Sequence, residues 1–379
     1  MKKIAVLGFG CIGAGVCKLL TDNTDLINKT SGKDAALAYI CDLRDIPGKP
    51  YGDMHIKDFD VILNDPDVAV VAELTGARRA AFELSKKALE AGKSVVTSNK
   101  EVVSAYGPEL LRIAREHGVS YLFEAAVGGA IPLIRPLRMN LGTDRISKIC
   151  GILNGTTNYI LTSMERGVSY EEALFQAKAL GYAEPDPTAD VTGLDSCRKI
   201  SVLSAFIDGG IIPPEQIPTV GIENVPAAVI SAAAALGGRI KLIACAEKTD
   251  QGVSASVAPC FVGGGCMLYN VDGVNNGIIV SCESSGDLMF YGRGAGSVPT
   301  SAAVISDVAE ALAGAVEPLD FRTAAQCAPE RAGKSFIVSD APLDGISYEK
   351  HAESGGYHAY ISSCPAEKSG SAIWVSKAL

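Results

Sequence analysis

Ile4-Ala5-Val6-Leu7-Gly8-Phe9-Gly10-Cys11-Ile12-Gly13 is the stretch that decides the fold. Four apolar residues make a buried strand, three glycines follow at the spacing GxGxxG, and an apolar helix runs on through Leu20. In such a setting the first glycine allows the turn, the second lets a pyrophosphate approach the backbone, and the third lets helix and strand pack closely. The helix N-terminus then favours anionic phosphates. The pattern alone is weak, because a tight turn without a ligand also fits it. Between a strand and a helix it points to a dinucleotide.

The alternation continues beyond this stretch. Residues 36–41, 68–74, 94–97 and 120–124 read as strands, and residues 78–91 and 108–117 as helices between them. This predicts an α/β fold whose N-terminal part is a Rossmann-type doubly wound parallel sheet with right-handed connections. The end of the second strand should read the adenosine ribose. Asp42 suits the 2′-hydroxyl of NAD and Arg44 the 2′-phosphate of NADP, so cofactor preference stays open. Thr75-Gly76 and Ser98-Asn99-Lys100 follow later strands, at the carboxyl ends where open α/β sheets bind ligands. A lysine at a strand end is usually solvated, but Lys100 precedes an apolar helix start and is expected to face the cleft.

After Glu124 the pattern changes. Residues 125–131 are glycine-rich and apolar, a helix is expected over 132–141, and residues 147–153 read as a strand leading into Asn154-Gly155-Thr156-Thr157-Asn158. Helices are expected over 159–166 and 170–180. Short strands alternating with glycine loops over 239–291 suggest antiparallel sheet, and 300–313 reads as a last helix. The tail, 317–379, gives weak strand signals at 335–339 and 358–363.

GYAEPDPTADVTGLDSCRK, residues 181–199, holds Glu184, Asp186, Asp190 and Asp195 and ends in Lys199. Pro185 and Pro187 keep its first half out of a helix. Its second half enters an apolar helix, 200–206. Asp195 and Lys199 stand four apart and share a helical face. An isolated pair of this kind is usually an exposed ion pair worth about 0.3–0.5 kcal/mol. Three more carboxylates on a rigid turn feeding the same helix indicate a polar site instead.

Composition narrows the function classes. The 379 residues suggest two or more domains. With 47% apolar and 20% charged residues the chain reads as an ordinary soluble globular protein. A formal charge of −9 argues against nucleic acid or anionic membranes as main partners. Met1-Lys2-Lys3 leads into an apolar run that glycine interrupts at once, which reads as a strand rather than a signal peptide. Cysteines are scattered, with no Cys-x-x-Cys pair, and suit a reducing cytoplasm. No histidine falls between Gly118 and Lys350. Proton transfer in the charged segment would therefore fall to lysine or a carboxylate.

At this point the residues resemble the homoserine dehydrogenase family. The resemblance runs from Met1 to about Gly314, and its most specific blocks are EAAVGGAIPLI from Glu124, GILNGTTNYIL from Gly151, GYAEPDPTADVTGLD from Gly181 and GRGAGSVPTSAAVISD from Gly292. It implies reversible hydride transfer between NAD(P) and the pair L-homoserine / L-aspartate 4-semialdehyde, on the route to threonine, methionine and isoleucine. It implies that Lys199 is the acid/base, that Lys100 is a second active-site lysine, and that Glu184, Asp190 and Asp195 hold the substrate's amino group and orient Lys199. It further implies a monovalent cation, usually sodium, near Glu124 and the carbonyls of Val127, Gly129 and Ile131. Thr156, with its neighbours, suits the substrate carboxylate or the nicotinamide amide; a helix cap by Thr156 or Asn154 fits equally. The cofactor set is Gly8, Gly10, Cys11, Ile12, Gly13, Asp42, Arg44, Thr75, Gly76, Ser98, Lys100 and Gly294. On this reading 1–130 is the dinucleotide-binding domain with 296–316 packing back onto it, 131–295 is an α+β substrate-binding and dimerisation domain, and the protein is a homodimer.

Two features depart from the family pattern. Ala77-Arg78-Arg79-Ala80 stands where another glycine and a proline are expected, and the tail lacks a recognisable amino-acid-binding regulatory module. Two rival readings remain open here. An aldehyde dehydrogenase with a cysteine nucleophile would leave the lysine–carboxylate cluster unexplained. An inactive NAD(P)-binding relative would be expected to lose Lys199 or Lys100, and both are present.

Overall fold

Strand β1 (Lys2–Leu7) lies inside a six-stranded sheet with β2 (Ala35–Cys41), β3 (His55–Ile56), β4 (Val68–Glu73), β5 (Ser94–Thr97) and β6 (Tyr121–Leu122), in the order β3-β2-β1-β4-β5-β6. Every pairing is parallel. The order reverses beside β1, which makes the β1/β4 crevice the switch point where such sheets bind ligands. Ile4, Val6, Val70, Ala72 and Val96 are almost fully buried, as expected of strands covered on both faces. The computed structural model describes residues 1–46, 51–330, 333–343, 347–362 and 372–379. They divide into one unit of Met1–Thr143, Gly209–Ile211 and Arg293–Thr323, and another of Asp144–Asp208, Ile212–Gly292 and Ala324–Leu379.

In the first unit the helix Ser297–Ala313 packs on helices Cys11–Asp22 and Thr24–Ser31. Its Val304 and Val308 join the core of the sheet. A short parallel pair, β8 (Gly210–Ile211) with β13 (Arg322–Thr323), completes the unit. Three boundaries differ from expectation. The helix expected from residue 108 starts at Lys100 and runs to Glu116 with Pro108 inside it. Asn99 is the reason: its side chain accepts from the N–H groups of Glu101 and Val102 and caps the helix eight residues earlier. The strand expected over 120–124 is only Tyr121–Leu122, because Glu124–Ala126 turns into a 3-10 helix. The helix expected over 132–141 shortens to Ile134–Met139. Helix Thr24–Ser31 has no counterpart in the sequence reading, since TDLINKTS reads as loop.

The second unit is built on a five-stranded sheet, β10-β9-β7-β11-β12, of β7 (Ile146–Ile152), β9 (Gly238–Thr249), β10 (Gly252–Gly263), β11 (Asn275–Cys282) and β12 (Gly286–Arg293). Its pairings β7–β9, β9–β10 and β7–β11 are antiparallel, as the glycine-broken strands suggest. Helix Leu194–Asp208 packs across β7, β9 and β10. Ile200 and Leu203 on it are fully buried, each contributing roughly 1.5–3 kcal/mol. The tail folds as a second antiparallel sheet, β15-β16-β14-β17, of β14 (Ser335–Ser339), β15 (Lys350–Ser354), β16 (Tyr357–Ser362) and β17 (Ala372–Lys377). The strand expected over 358–363 is β16, and residue 363 lies outside the described residues. Helix Ala227–Ala235 packs on β15 and β16, and β17 on β10. No helix among the described residues is long and apolar enough to cross a membrane.

Candidate active site

In the second unit the site is built where β7 ends and helix Leu194–Asp208 begins. Lys199 sits one turn into that helix, four residues after Asp195, so both project from one face. Lys199 is only 7% exposed. Its Nζ donates to Asp195 Oδ2 at 2.7 Å and to the carbonyl of Leu153 at 2.8 Å. Two of its three N–H bonds are thereby placed. A buried pair like this is held by geometry, unlike the solvated pair its spacing alone would suggest.

Asn154 ties the carboxylates together. Its Nδ2 donates to Asp190 Oδ1 at 2.7 Å and to Asp195 Oδ2 at 2.9 Å. Its Oδ1 accepts from the backbone N–H and the hydroxyl of Thr157 at 2.8 and 3.0 Å. Both ends of the amide are committed, so its orientation is fixed, and the same oxygen caps helix Gly155–Met164. The cap and the site residue are thus one side chain. Thr156 donates its hydroxyl to the carbonyl of Tyr182 at 2.6 Å, anchoring the start of the acidic turn. Asp186 accepts from the N–H and hydroxyl of Thr188, which hold its carboxyl below the usual range and open the short helix Thr188–Val191. Glu184 is exposed and outside this network.

In the first unit the glycine turn is shaped as a cradle. A Cβ on Gly13 would stand 2.0 Å from the carbonyl oxygen of Gly8, and one on Gly8 2.8 Å from that of Leu74. One on Gly10 would meet nothing within 4 Å, so the middle glycine faces open space. These sterics fit a pyrophosphate above Gly10 and the helix start at Cys11 and Ile12. Ser297 and Ser301 donate to the carbonyls of Cys11 and Ile12 and brace that turn. Asp42 Oδ2 accepts from the N–H of Phe9 at 2.7 Å. Arg44 grips the same carboxylate through Nε and Nη2 at 3.0 and 2.8 Å and holds it well below the usual carboxylate range.

Glu73 holds two of the turns expected at the cofactor, and its apolar surroundings hid it in the sequence. It ends β4 fully buried, and burial pushes its acid up. Oε1 accepts from the N–H and hydroxyl of Thr75, and Oε2 from the hydroxyl of Thr97. It therefore fixes the turns after both β4 and β5, where Thr75, Gly76, Ser98 and Lys100 lie. Helix Arg78–Glu90 starts directly after Ala77 with no side-chain cap, so the departure from the family loop leaves the helix start intact.

Glu124 is buried and caps helix Ile134–Met139. Oε1 accepts from the N–H groups of Leu133 and Ile134 at 2.5 and 2.9 Å, and Oε2 from that of Arg135 at 2.7 Å. Its own N–H donates to Asp307 Oδ2 at 2.8 Å. Burial and the charge of Glu124 push Asp307 up to about 8. Arg135 pairs with Asp307 and Glu310, and Arg138 with Glu310. Gly129 lies against Gly294: a Cβ on it would stand 2.5 Å from the carbonyl carbon of Gly294. Among the described residues no backbone hydrogen bond ends on the carbonyls of Val127, Gly129 or Ile131. Sequence reasoning missed the partners Asp307, Arg135 and Glu310, which only the folded chain brings to Glu124.

Comparison with known proteins gives one family throughout. A family model described as homoserine dehydrogenase matches residues 132–309, and one described as its NAD binding domain matches residues 8–124. A homoserine dehydrogenase of Synechocystis sp. is 41% identical over 314 residues, covering 81% of this chain and 72% of the relative. One of Pseudomonas aeruginosa is 36% identical over 344 residues, covering 90% and 78%. Among solved structures, a homoserine dehydrogenase from Thiobacillus denitrificans superposes with a TM-score of 0.86 at 30% identity, covering 95% of this chain and 90% of that one. A hyperthermophilic archaeal homoserine dehydrogenase mutant in complex with NADPH gives 0.70 at 27%, covering 82% and 98%.

Proposed function

The chain belongs to the homoserine dehydrogenase family, and from that premise we propose how its own residues divide the family's reaction. The reaction is reversible hydride transfer between NAD(P) and the pair L-homoserine / L-aspartate 4-semialdehyde, a step of amino-acid biosynthesis. NAD(P), when bound, supplies the hydride acceptor or donor. Lys199 exchanges a proton with the substrate oxygen: it takes the hydroxyl proton as the alcohol is oxidised and returns it on reduction. Asp195 and the carbonyl of Leu153 aim its amine, and Asn154 holds Asp195. Asp190, Asp195 and Glu184 suit the substrate's ammonium, and the family resemblance gives Lys100 the role of a second active-site lysine. The observation that carries this reading is the buried Lys199 amine clamped by Asp195 and Leu153.

In the first unit the glycine turn, with Cys11 and Ile12, holds the pyrophosphate, and Thr75, Gly76, Ser98 and Gly294 complete the pocket. Asp42 takes the ribose diol of NAD, and Arg44, released from Asp42, takes the 2′-phosphate of NADP. A sodium ion at the carbonyls of Val127, Gly129 and Ile131, on which no backbone hydrogen bond ends among the described residues, would find the oxygen ligands a hard cation prefers close in sequence to Glu124. A homodimer is proposed on the family resemblance alone. The described cysteines are free thiols, which suits a reducing cytoplasm.

Lys199→Ala tests the central assignment. Homoserine-dependent formation of reduced cofactor should fall by about 10²–10⁴-fold, the range of a lost acid/base, while NAD(P) binding by fluorescence is kept. Substantial remaining turnover removes Lys199 from the role.

A further inference from the structure

We propose that the hairpin of β15 and β16 carries a binding site for a divalent transition-metal ion of the Zn²⁺ class, formed by His351, Glu353 and His358. The two strands are joined by Gly355-Gly356, with φ of +59° and +82°, a two-residue turn in which both central residues are left-handed. That turn fixes the register: Glu353 stands opposite His358, and His351 opposite Tyr360. Side chains alternate along a strand. His351, Glu353 and His358 therefore share one face, and Ala352 and Ala359 lie on the other. His351 and Glu353 are exposed, while the His358 side chain is 16% exposed.

One ligand atom from each residue lies within 4.8 Å of the other two. His351 Nε2 is 3.4 Å from His358 Nδ1, and that atom is 3.3 Å from a carboxylate oxygen of Glu353. Both separations are long for hydrogen bonds. A single ring nitrogen has one in-plane site and serves one of these neighbours well, not both. Two ligands bound at ~2.0–2.1 Å to a tetrahedral zinc ion stand roughly 3.3–3.4 Å apart. One ion would thus satisfy all three groups near their present spacing. The imidazole planes lie 7° from parallel, so binding turns at least one ring about χ2, which is a soft torsion. Tyr360 stacks on His351 with centroids 4.7 Å apart and backs the site.

The donor set names the ion class. Two imidazoles and one carboxylate suit Zn²⁺, Ni²⁺ or Cu²⁺, whereas Ca²⁺ and Mg²⁺ take oxygen ligands. Three protein ligands leave a fourth position for water. β15 is the edge strand of its sheet, so an ion bridging it to β16 ties down an edge otherwise open to pairing. Nothing in this site depends on the hydride chemistry.

The test is calorimetric titration of the metal-stripped full chain with Zn²⁺ alone, with hydrogen exchange of the β15 amides followed in parallel. One Zn²⁺ per chain is expected, together with slower exchange across β15. Loss of a supporting residue around a metal ligand already costs ~10–100-fold, so His351→Gln and His358→Gln should each weaken binding by about tenfold or more and abolish the slowed exchange. Co²⁺ distinguishes the free cysteines as competitors: at this site its spectrum lacks the thiolate charge-transfer band. Should the half-buried His358→Gln disturb the fold, the exposed Glu353→Gln decides the matter, with weaker Zn²⁺ binding and an unchanged metal-free Tm expected. Equal Zn²⁺ affinity in wild type and variants, or a thiolate band that the variants retain, overturns the proposal.

Discussion

Asn154 and Asp195, 41 residues apart, share a 2.9 Å hydrogen bond, and the oxygen that accepts it is the one that holds Lys199. The amide cannot turn away, because Thr157 occupies its other end. The position of the lysine amine is therefore set by a residue on another element. Asn154→Ala should lower kcat for homoserine by about 10–100-fold, since small misplacements of this kind cost on that order. It should also cost about 1–3 kcal/mol of stability, as a cap is lost and two carboxylates lose a donor. NAD(P) affinity should not move. Full kcat with only a lower Tm would reduce Asn154 to a helix cap.

On the proposed cofactor site, the Asp42–Arg44 pair decides between NAD and NADP. Hydrogen bonds to a charged group contribute about 1.5–3 kcal/mol. Arg44→Ala should therefore raise the KM for NADP by roughly 10–100-fold while leaving that for NAD equal or lower. Asp42→Ala should do the reverse. Parallel steady-state assays with the two cofactors decide it, and equal losses with both would exclude Arg44 from the 2′-phosphate.

Asp307 gives the fold a pH dependence whose sign is opposite to that of a salt-bridged carboxylate. Its folded pKa of about 8 lies above the unfolded value, so the native state binds the extra proton. Stability from this group is complete at acid pH and declines as pH rises from about 4 through 8, by on the order of a few kcal/mol. Thermal melts between pH 5 and 9 should show a falling Tm, and Asp307→Asn should flatten the curve. An unchanged slope in the variant would assign the effect elsewhere.

The carbonyl loop after Glu124 leads to a salt-specific outcome. Na⁺ should raise Tm saturably at constant ionic strength set with tetramethylammonium chloride, because an ion bound only by the native state stabilises it by mass action. Glu124→Gln should remove that response and, by pointing donors at the N–H groups of Leu133 to Arg135, cost about 1–3 kcal/mol besides. Identical melts in the two salts would exclude a specific sodium site.

Sequence is most informative where the signal is local. The glycine spacing, the strand–helix alternation and the Asp195/Lys199 interval are all read within a few residues. Lys100 does stand at a helix start, yet Pro108 hides the true first turn, which Asn99 supplies. Asn154 reads locally as a cap and gives no sign of the carboxylates it joins, because Asp190 and Asp195 reach it only through folding. Glu73 reads as one more strand residue, since nothing local marks a carboxylate that will be buried under two turns. Asp307 stands in view as the last letter of a family block, but its partners Glu124 and Arg135 are more than 170 residues away. Strand β15 is mostly polar, and β17 opens on an apolar run too short to tell strand from helix, so neither is legible before folding.

Helix Leu194–Asp208 carries Lys199, the proposed acid/base, near its head and lays Ile200 and Leu203 into the heart of its unit. Endurance and speed are consequently written on one rod. A substitution that slackens the interior will show first as a sluggish catalyst, well before the chain melts, and adaptation to heat will have to negotiate with turnover at the same few side chains.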